Sequence, residues 1–192
     1  MPRIILASSS PRRKMLLSQI GVPFEVVASD VDEHVDQRLP PVDVARQLAL
    51  RKAQAVAASH ADALVVGADT IVVDEEGILG KPRHADEAFQ MLSRLSGKVH
   101  RVITGLALIA TSPSPATLVQ HETTQVKMTT LSRQEISRYI DTGEPLDKAG
   151  AYAIQGRGAA FIEWIHGCYP NVVGLPLFRF LQMVKQMTPQ VE

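Results

Sequence analysis

The chain has 192 residues, 45% of them hydrophobic and 21% charged, enough to bury one sizeable core or two small lobes sharing a cleft. Lys and Arg total 20, as do Asp and Glu, so no overall field recruits nucleic acid or an anionic membrane surface, while a small anionic ligand stays open. The single cysteine, Cys168, excludes an intrachain disulfide and a cysteine-rich zinc centre; it reads as a packing thiol and fits a reducing cytoplasm.

No charged segment followed by an apolar one opens the chain, and no stretch approaches the roughly 20 apolar residues of a membrane span. The expectation is a cytoplasmic protein. Arg3–Ala7 reads as a short apolar strand that runs into Ser8-Ser9-Ser10-Pro11-Arg12-Arg13, after which Met15, Leu16 and Ile20 keep helical spacing up to Gly21. Pro11 suits the first helical position and Ser10 the N-cap, and capping alone accounts for the serines. Arg12 and Arg13 oppose the helix dipole in that first turn, yet with the free N–H groups there they suit a phosphate.

Phe24–Val27 is a second strand, followed by the turn SDVDEH with Asp30, Asp32 and Glu33, which is either a solvated loop or a hard-cation site. Pro40 and Pro41 introduce a helix from Val42 to Ser59 with Val44, Ala45, Leu48, Ala55 and Val56 on its apolar face. Lys52 falls on that face too, either snorkelling to solvent or aiming its ammonium into a cleft.

Ala63–Val73, ALVVGADTIVV, is a short run rich in Val and Ile that suits a strand buried on both faces, broken by Asp69 with Thr70 beside it. A lone ionised acid there is costly unless a cation, donor or metal compensates it, which makes Asp69 the first functional candidate. Asp74–Gly77 is a turn, and Ile78–Pro82 returns as a hairpin that brings Lys81 close to the level of Asp69 and Thr70.

Ala85–Leu95 is a helix with Ala88, Met91, Leu92 and Leu95 in the core, closed by Gly97. Val99–Ala110 and Leu118–Met128 form a second hairpin, with His100 and Arg101 near its start; a lone strand histidine is more often satisfied or exposed than a ligand. Ser132-Arg133-Gln134-Glu135 is a capping box for a helix from Arg133 to Asp141. Gly143–Gly158, GEPLDKAGAYAIQGRG, is a glycine-rich loop that serves either as structural turns or as ligand contacts. It leads into a strand at Ala159–Ile165. A final helix starts near Val172 to Leu175 and runs to Met187. Without repeats or linkers, residues 1–192 read as one α/β domain.

LASSSPRRKMLL at Leu6–Leu17, the VDE ending at Glu33, ALRKA around Lys52, GADTIVV at Gly67–Val73, GKP at Gly80–Pro82 and the glycine-rich GEPLDKAGAYAIQGRG occur in one order along nearly the whole chain. Jointly they resemble the Maf family of nucleotide pyrophosphatases. Ala153 and Ser9 depart from the family pattern at positions where glycine is common. The resemblance implies a mixed twisted sheet flanked by helices, with two lobes around a central cleft, similar to the inosine triphosphate pyrophosphatase fold. It also implies hydrolysis of a nucleoside triphosphate between the α and β phosphates, with a divalent cation, Mg²⁺ or Mn²⁺.

EPLDKAGAYAIQG resembles the branch acting on dTTP and UTP rather than the one acting on methylated guanosine triphosphates, and in it Arg12, Thr70 and Gln155 occupy positions linked to base selection. By the same resemblance Asp69 is the proton acceptor for the attacking water. Positive charge on the phosphates would come from Arg13, Lys52 and Lys81, helped by Ser8 and Ser10, and Glu33 with Asp69 would hold the metal. Gln155 carries a donor and an acceptor that suit the imide edge of thymine or uracil. The expected partner is a small-molecule nucleotide, with no nucleic acid and no membrane, and a homodimer is the family expectation. Two alternatives stand: a nucleotide-binding regulator of cell division arrest without turnover, and a pyrophosphatase specific for methylated GTP.

Overall fold

A computed structural model describes residues 3–32, 34 and 38–187. Along the chain run β1 (Ile4–Leu6), α1 (Pro11–Gln19), β2 (Glu25–Val26), α2 (Pro41–Ala57), β3 (Leu64–Val73), β4 (Ile78–Leu79), α3 (Ala85–Leu95), β5 (Val99–Ala110) and β6 (Ala116–Met128). They are followed by α4 (Arg133–Ile140), 3-10 turns at Glu144–Asp147, Ala149–Ala151 and Gly156–Phe161, β7 (Ile162–His166), α5 (Tyr169–Val173) and α6 (Leu177–Met187). Among the described residues the sheet has seven strands, in the order β2-β1-β3-β5-β6-β7 with β4 on β3. β1 is parallel to β2 and β3, whereas β4 and β7 pair antiparallel, so the sheet is mixed and flanked by helices, as expected.

Two compact units can be distinguished, and β3, β5 and β6 contribute residues to both. The first comprises the described residues within Met1–Asp69, Thr104–Glu122 and Gly174–Glu192. In it β1 lies between β2 and β3, with Ile4, Ile5 and Leu6 opposite Leu64, Val65 and Val66, and all six side chains are buried. A continuous apolar run on both strands is what a parallel pair covered on both faces requires. Helix α2 buries Val44, Ala45, Leu48, Ala49, Lys52, Ala53 and Val56. Ala55, expected on that face, is exposed, because the buried row Val44, Leu48, Lys52 and Val56 advances about 40° with every four residues and by the last turn has moved about 100° past Ala55.

Two strand glycines set how close α2 comes. A Cβ on Gly67 would fall on the carbonyl oxygen of Ala49 and lie 2.7 Å from the Ala53 nitrogen; one on Gly105 would fall on the Ala45 carbonyl and lie 2.7 Å from the Arg46 nitrogen. The helix backbone therefore rests directly on the strands at both points.

The second unit comprises Thr70–Ile103 and Thr123–Val173. Its core gathers Val72, Leu79, Met91, Leu92, Leu95, Val102, Val126, Met128, Ile136, Tyr139 and Tyr152. The capping box at Ser132 and Glu135 starts α4 as expected. Arg94 holds Asp74 with two hydrogen bonds, Nε to Oδ2 at 2.9 Å and Nη2 to Oδ1 at 2.6 Å. Two elements differ from expectation. The final helix is split into α5 and α6, because Gly174 takes φ +132° and Pro176 follows. The strand expected from Ala159 begins instead at Ile162, since the N–H groups of Arg157 and Gly158 go to the Glu144 carboxylate and the chain turns there as a 3-10 helix.

His100 is 2% exposed, places Nε2 2.6 Å from the Tyr152 hydroxyl, and leaves Nδ1 without a partner. Desolvation lowers its pKa from 6.5 to about 4. Above pH 6.5 both folded and unfolded chains carry a neutral ring; below it the unfolded chain takes up a proton that the folded one refuses, so stability falls with pH until the folded pKa is reached. Between pH 7 and pH 5 this one group should remove about 2 kcal/mol of unfolding free energy. Urea titrations across that window should show the slope in the wild type and a flatter one in His100→Gln; equal slopes would refute the assignment.

Candidate active site

The last rung between β1 and β3 is the 2.8 Å bond from the Ala7 N–H to the Val66 carbonyl. Beyond it the chain leaves β1 at Ser8, while β3 continues through Gly67 to Asp69. With the strand order β2-β1-β3, this is a switch point at the carboxyl ends of parallel strands, where open α/β sheets hold ligands. Ser8 is 5% exposed, and its Oγ accepts from the Ser10 N–H and from Arg13 Nη1, each at 3.2 Å. Arg13 Nε donates to the Gly174 carbonyl at 2.9 Å. Ser10 is the N-cap residue and Pro11 takes the first turn, but the Ser10 side chain makes no capping bond. The hydroxyl that organises the loop is that of buried Ser8, two residues earlier than local capping rules place it.

Ser29 Oγ donates to the Ala7 carbonyl at 3.3 Å and brings the acidic turn after β2 beside this loop. Asp32, exposed, accepts from the His34 N–H at 2.8 Å and so closes its own turn. Glu33, expected to hold a metal, lies outside the described residues.

Asp69 is 8% exposed, and Lys52, equally buried, places Nζ 2.5 Å from its Oδ1. The cause is the close approach described above. Gly67 and Asp69 are two residues apart and share a face of β3. The α2 backbone at Ala49 and Ala53 sits on Gly67, and Lys52 from the same stripe reaches the next side chain on that face. Of the two readings open for Lys52, the structure supports the inward one. A buried pair of this kind is strongly coupled: removing one partner costs about 3–5 kcal/mol.

In the second unit Thr70 is half-buried and follows Asp69 directly. The β3–β4 register pairs Val72 with Leu79 and Val73 with Ile78, and carried two residues further it sets exposed Lys81 level with Thr70. The glycine-rich loop backs onto this hairpin: the Gly150 N–H donates to the Gly80 carbonyl at 3.0 Å, and Gly150, at φ +69°, has no room for a Cβ beside Val72. Gln155 is half-buried with an extended backbone, and its side chain does not cap the 3-10 turn that follows.

Sequence reasoning passed over Glu144. Its Oε1 accepts from the Tyr139 hydroxyl at 2.8 Å and from the Gly158 N–H at 3.1 Å, and its Oε2 accepts from the Arg157 N–H at 3.1 Å. Burial pulls its pKa up, but the hydrogen bonds from Arg157, Tyr139 and Gly158 prevail and hold it below the ordinary value. An acid after a glycine in a loop carries no periodic signal, so nothing local marks it.

Among the described residues, no group of three or more His, Cys, Asp or Glu side chains gathers, and no helix is long and apolar enough to cross a membrane. The α/β fold thus carries a serine–arginine loop after β1 and a buried pair between Lys52 of α2 and Asp69 of β3, and hydroxyl, guanidinium and ammonium groups of this kind are able to take phosphate oxygens. The chain belongs to the Maf-like protein family, whose model matches residues 3–187.

It is 53% identical over 186 residues to a dTTP/UTP pyrophosphatase of Symbiobacterium thermophilum, covering 97% of this chain and 94% of the relative. A dTTP/UTP pyrophosphatase of Bacillus cytotoxicus is 50% identical over 186 residues, covering 97% and 96%. A solved nucleoside-triphosphatase (dITP/XTP pyrophosphatase) from Mycobacterium abscessus aligns over 99% of this chain and 100% of its own, with 14% identity and a TM-score of 0.46, a likeness too remote to bear on function.

Proposed function

We propose that this protein hydrolyses dTTP and UTP to the nucleoside monophosphate and pyrophosphate, keeping unwanted nucleotides out of nucleic acids. The observation that supports it most is the buried Lys52–Asp69 pair where β3 outruns β1. Cleavage between the α and β phosphates needs a water aligned behind phosphorus and negative charge neutralised around it. Lys52 occupies Oδ1 of Asp69, so the second carboxylate oxygen takes the proton of the attacking water. Arg13 and Ser8, already joined, offer a guanidinium and a hydroxyl at the helix start for phosphate oxygens, with Ser10, Lys52 and Lys81 adding donors and charge. Arg12, Thr70 and Gln155 select the base; an amide paired with the imide edge of a pyrimidine is left unsatisfied by a base of the wrong pattern.

The family resemblance calls for a divalent cation. Mg²⁺ binds through one or two carboxylates plus substrate phosphates, so it needs no preformed cage. The Asp69 carboxylate, which has about four lone-pair sites and gives one to Lys52, fits as one such ligand, and Glu33 is proposed as the other. When bound, the ion would neutralise charge developing on the phosphates.

The test is a side-by-side panel of dTTP, UTP, dCTP, ATP and a methylated guanosine triphosphate with Mg²⁺ or Mn²⁺. Equimolar monophosphate and pyrophosphate are expected, with dTTP and UTP ahead by about tenfold or more in kcat/KM. A methylated guanosine triphosphate running first would reverse the base assignment. Tight nucleotide binding with no turnover would favour a regulator.

A further inference from the structure

We infer that Glu144, through Tyr139, is the positioning residue for base selection: it sets the backbone from which Gln155 presents its amide. The inference rests on the proposed role of Gln155 and concerns how that role is built.

The segment from Ala153 to Gly158 contains two glycines that prevent it from stiffening by side-chain packing, Gly156 at φ +69° and Gly158. Its order must come from hydrogen bonds, and these converge on one carboxylate and one phenol. The Tyr139 hydroxyl donates to Glu144 Oε1 and accepts from the Ala153 N–H at 3.3 Å, while Glu144 accepts from Arg157 and Gly158. Gln155 is thereby bracketed, held two residues before by Tyr139 and two and three residues after by Glu144. The fit is tight: a Cβ on Gly156 would lie 2.7 Å from Glu144 Oε2, and one on Gly158 would lie 2.6 Å from the Tyr139 hydroxyl.

Tyr139 is itself fixed, 3% exposed with its ring edge-on to Phe161 at 5.0 Å, and Lys148 ties the Glu144 carbonyl at 2.7 Å. Burial first, and then the bond to Glu144, raise the pKa of the Tyr139 phenol, so it stays a donor to the carboxylate. A side-chain amide discriminates between bases only if its donor and acceptor arrive in register, so a loose bracket forfeits selection before it forfeits chemistry.

The experiment compares dTTP with dCTP, which reverses donor and acceptor on the edge that Gln155 would read. Wild type, Glu144→Ala, Tyr139→Phe, Gln155→Ala and the Glu144→Ala/Gln155→Ala double variant are assayed at steady state. Tyr139→Phe keeps the ring against Phe161, so it carries the test even if Glu144→Ala folds poorly.

Expected are a fall in the dTTP-to-dCTP ratio of kcat/KM of about tenfold in Glu144→Ala and about threefold in Tyr139→Phe, expressed as higher KM for dTTP with kcat nearly unchanged. Gln155→Ala should collapse the ratio, and adding Glu144→Ala to it should lower the ratio no further, because both act through one contact. If Gln155→Ala collapses the ratio while Glu144→Ala and Tyr139→Phe leave it intact, the inference falls alone. A further drop in the double variant would also sink it, by showing that Glu144 acts elsewhere. An unchanged ratio in Gln155→Ala would overturn the base-selection reading, and the inference with it.

Discussion

Asp69→Asn is expected to lower kcat for pyrophosphate release from dTTP by roughly 10³-fold, while the protein stays folded and still binds nucleotide. An amide cannot take the proton of the attacking water, but it preserves an oxygen at the position where Lys52 Nζ now sits 2.5 Å from Oδ1. Asp69→Ala separates the two contributions, since it deprives the buried ammonium of that acceptor and should destabilise the fold by about 3 kcal/mol on top of the lost turnover. Single-turnover assays at matched Mg²⁺ and nucleotide binding by calorimetry are the measurements. Turnover in Asp69→Asn within a few-fold of wild type would remove the carboxylate from the mechanism.

Gly67→Ala should be nearly as damaging without altering any polar side chain. Its methyl group would land on the Ala49 carbonyl oxygen and 2.9 Å from the Ala53 Cβ, and neither can yield without α2 lifting off the strand. Overpacking of this kind costs about 3 kcal/mol, at the upper end of the usual range because the clash is with backbone. Lys52 lies between those two alanines, so lifting the helix also withdraws the ammonium from Asp69. Chemical denaturation should show the loss of stability, and activity measured well below the melting temperature should be reduced as well. Gly80→Ala is the stability control: its Cβ would meet nothing within 4 Å. Equal stability of the two variants would mean that α2 does not bear on β3 as described.

These expectations separate what local sequence encodes from what it does not. The both-faces-buried character of β3 and the anomaly of Asp69 were legible because burial and charge are written in an eleven-residue window. The inward direction of Lys52 was not. Its helical phase put it on the apolar face, where snorkelling and pairing look alike until the distance from α2 to β3 is known. That distance depends on Gly67 and Gly105, two glycines inside strand runs that carry no local mark of a helix resting on them. Ser8 and Ser10 show the same limit: local rules favour Ser10 as the cap, but the β1–β3 pairing buries Ser8 next to Arg13, and the buried hydroxyl takes the hydrogen bonds.

By itself, then, the sequence determined the α/β character, most helices and strands, the hairpin at Asp74–Gly77, the capping box of α4 and, through the order of its motifs, the Maf family. All but the last rest on periodicity, turn chemistry and short-range hydrogen bonds, which are functions of neighbouring residues; the family rests on motifs spread along nearly the whole chain. The tertiary structure alone decided which cation meets Asp69, which serine is buried, and that Glu144 closes the glycine-rich loop. Each of those depends on elements distant in the chain coming together, Lys52 with Asp69 across 17 residues, Glu144 with Arg157 and Gly158 across 13 and 14, and Ser8 under the β1–β3 pairing, or on a missing Cβ that lets two backbones touch, and neither leaves a periodic trace in the sequence.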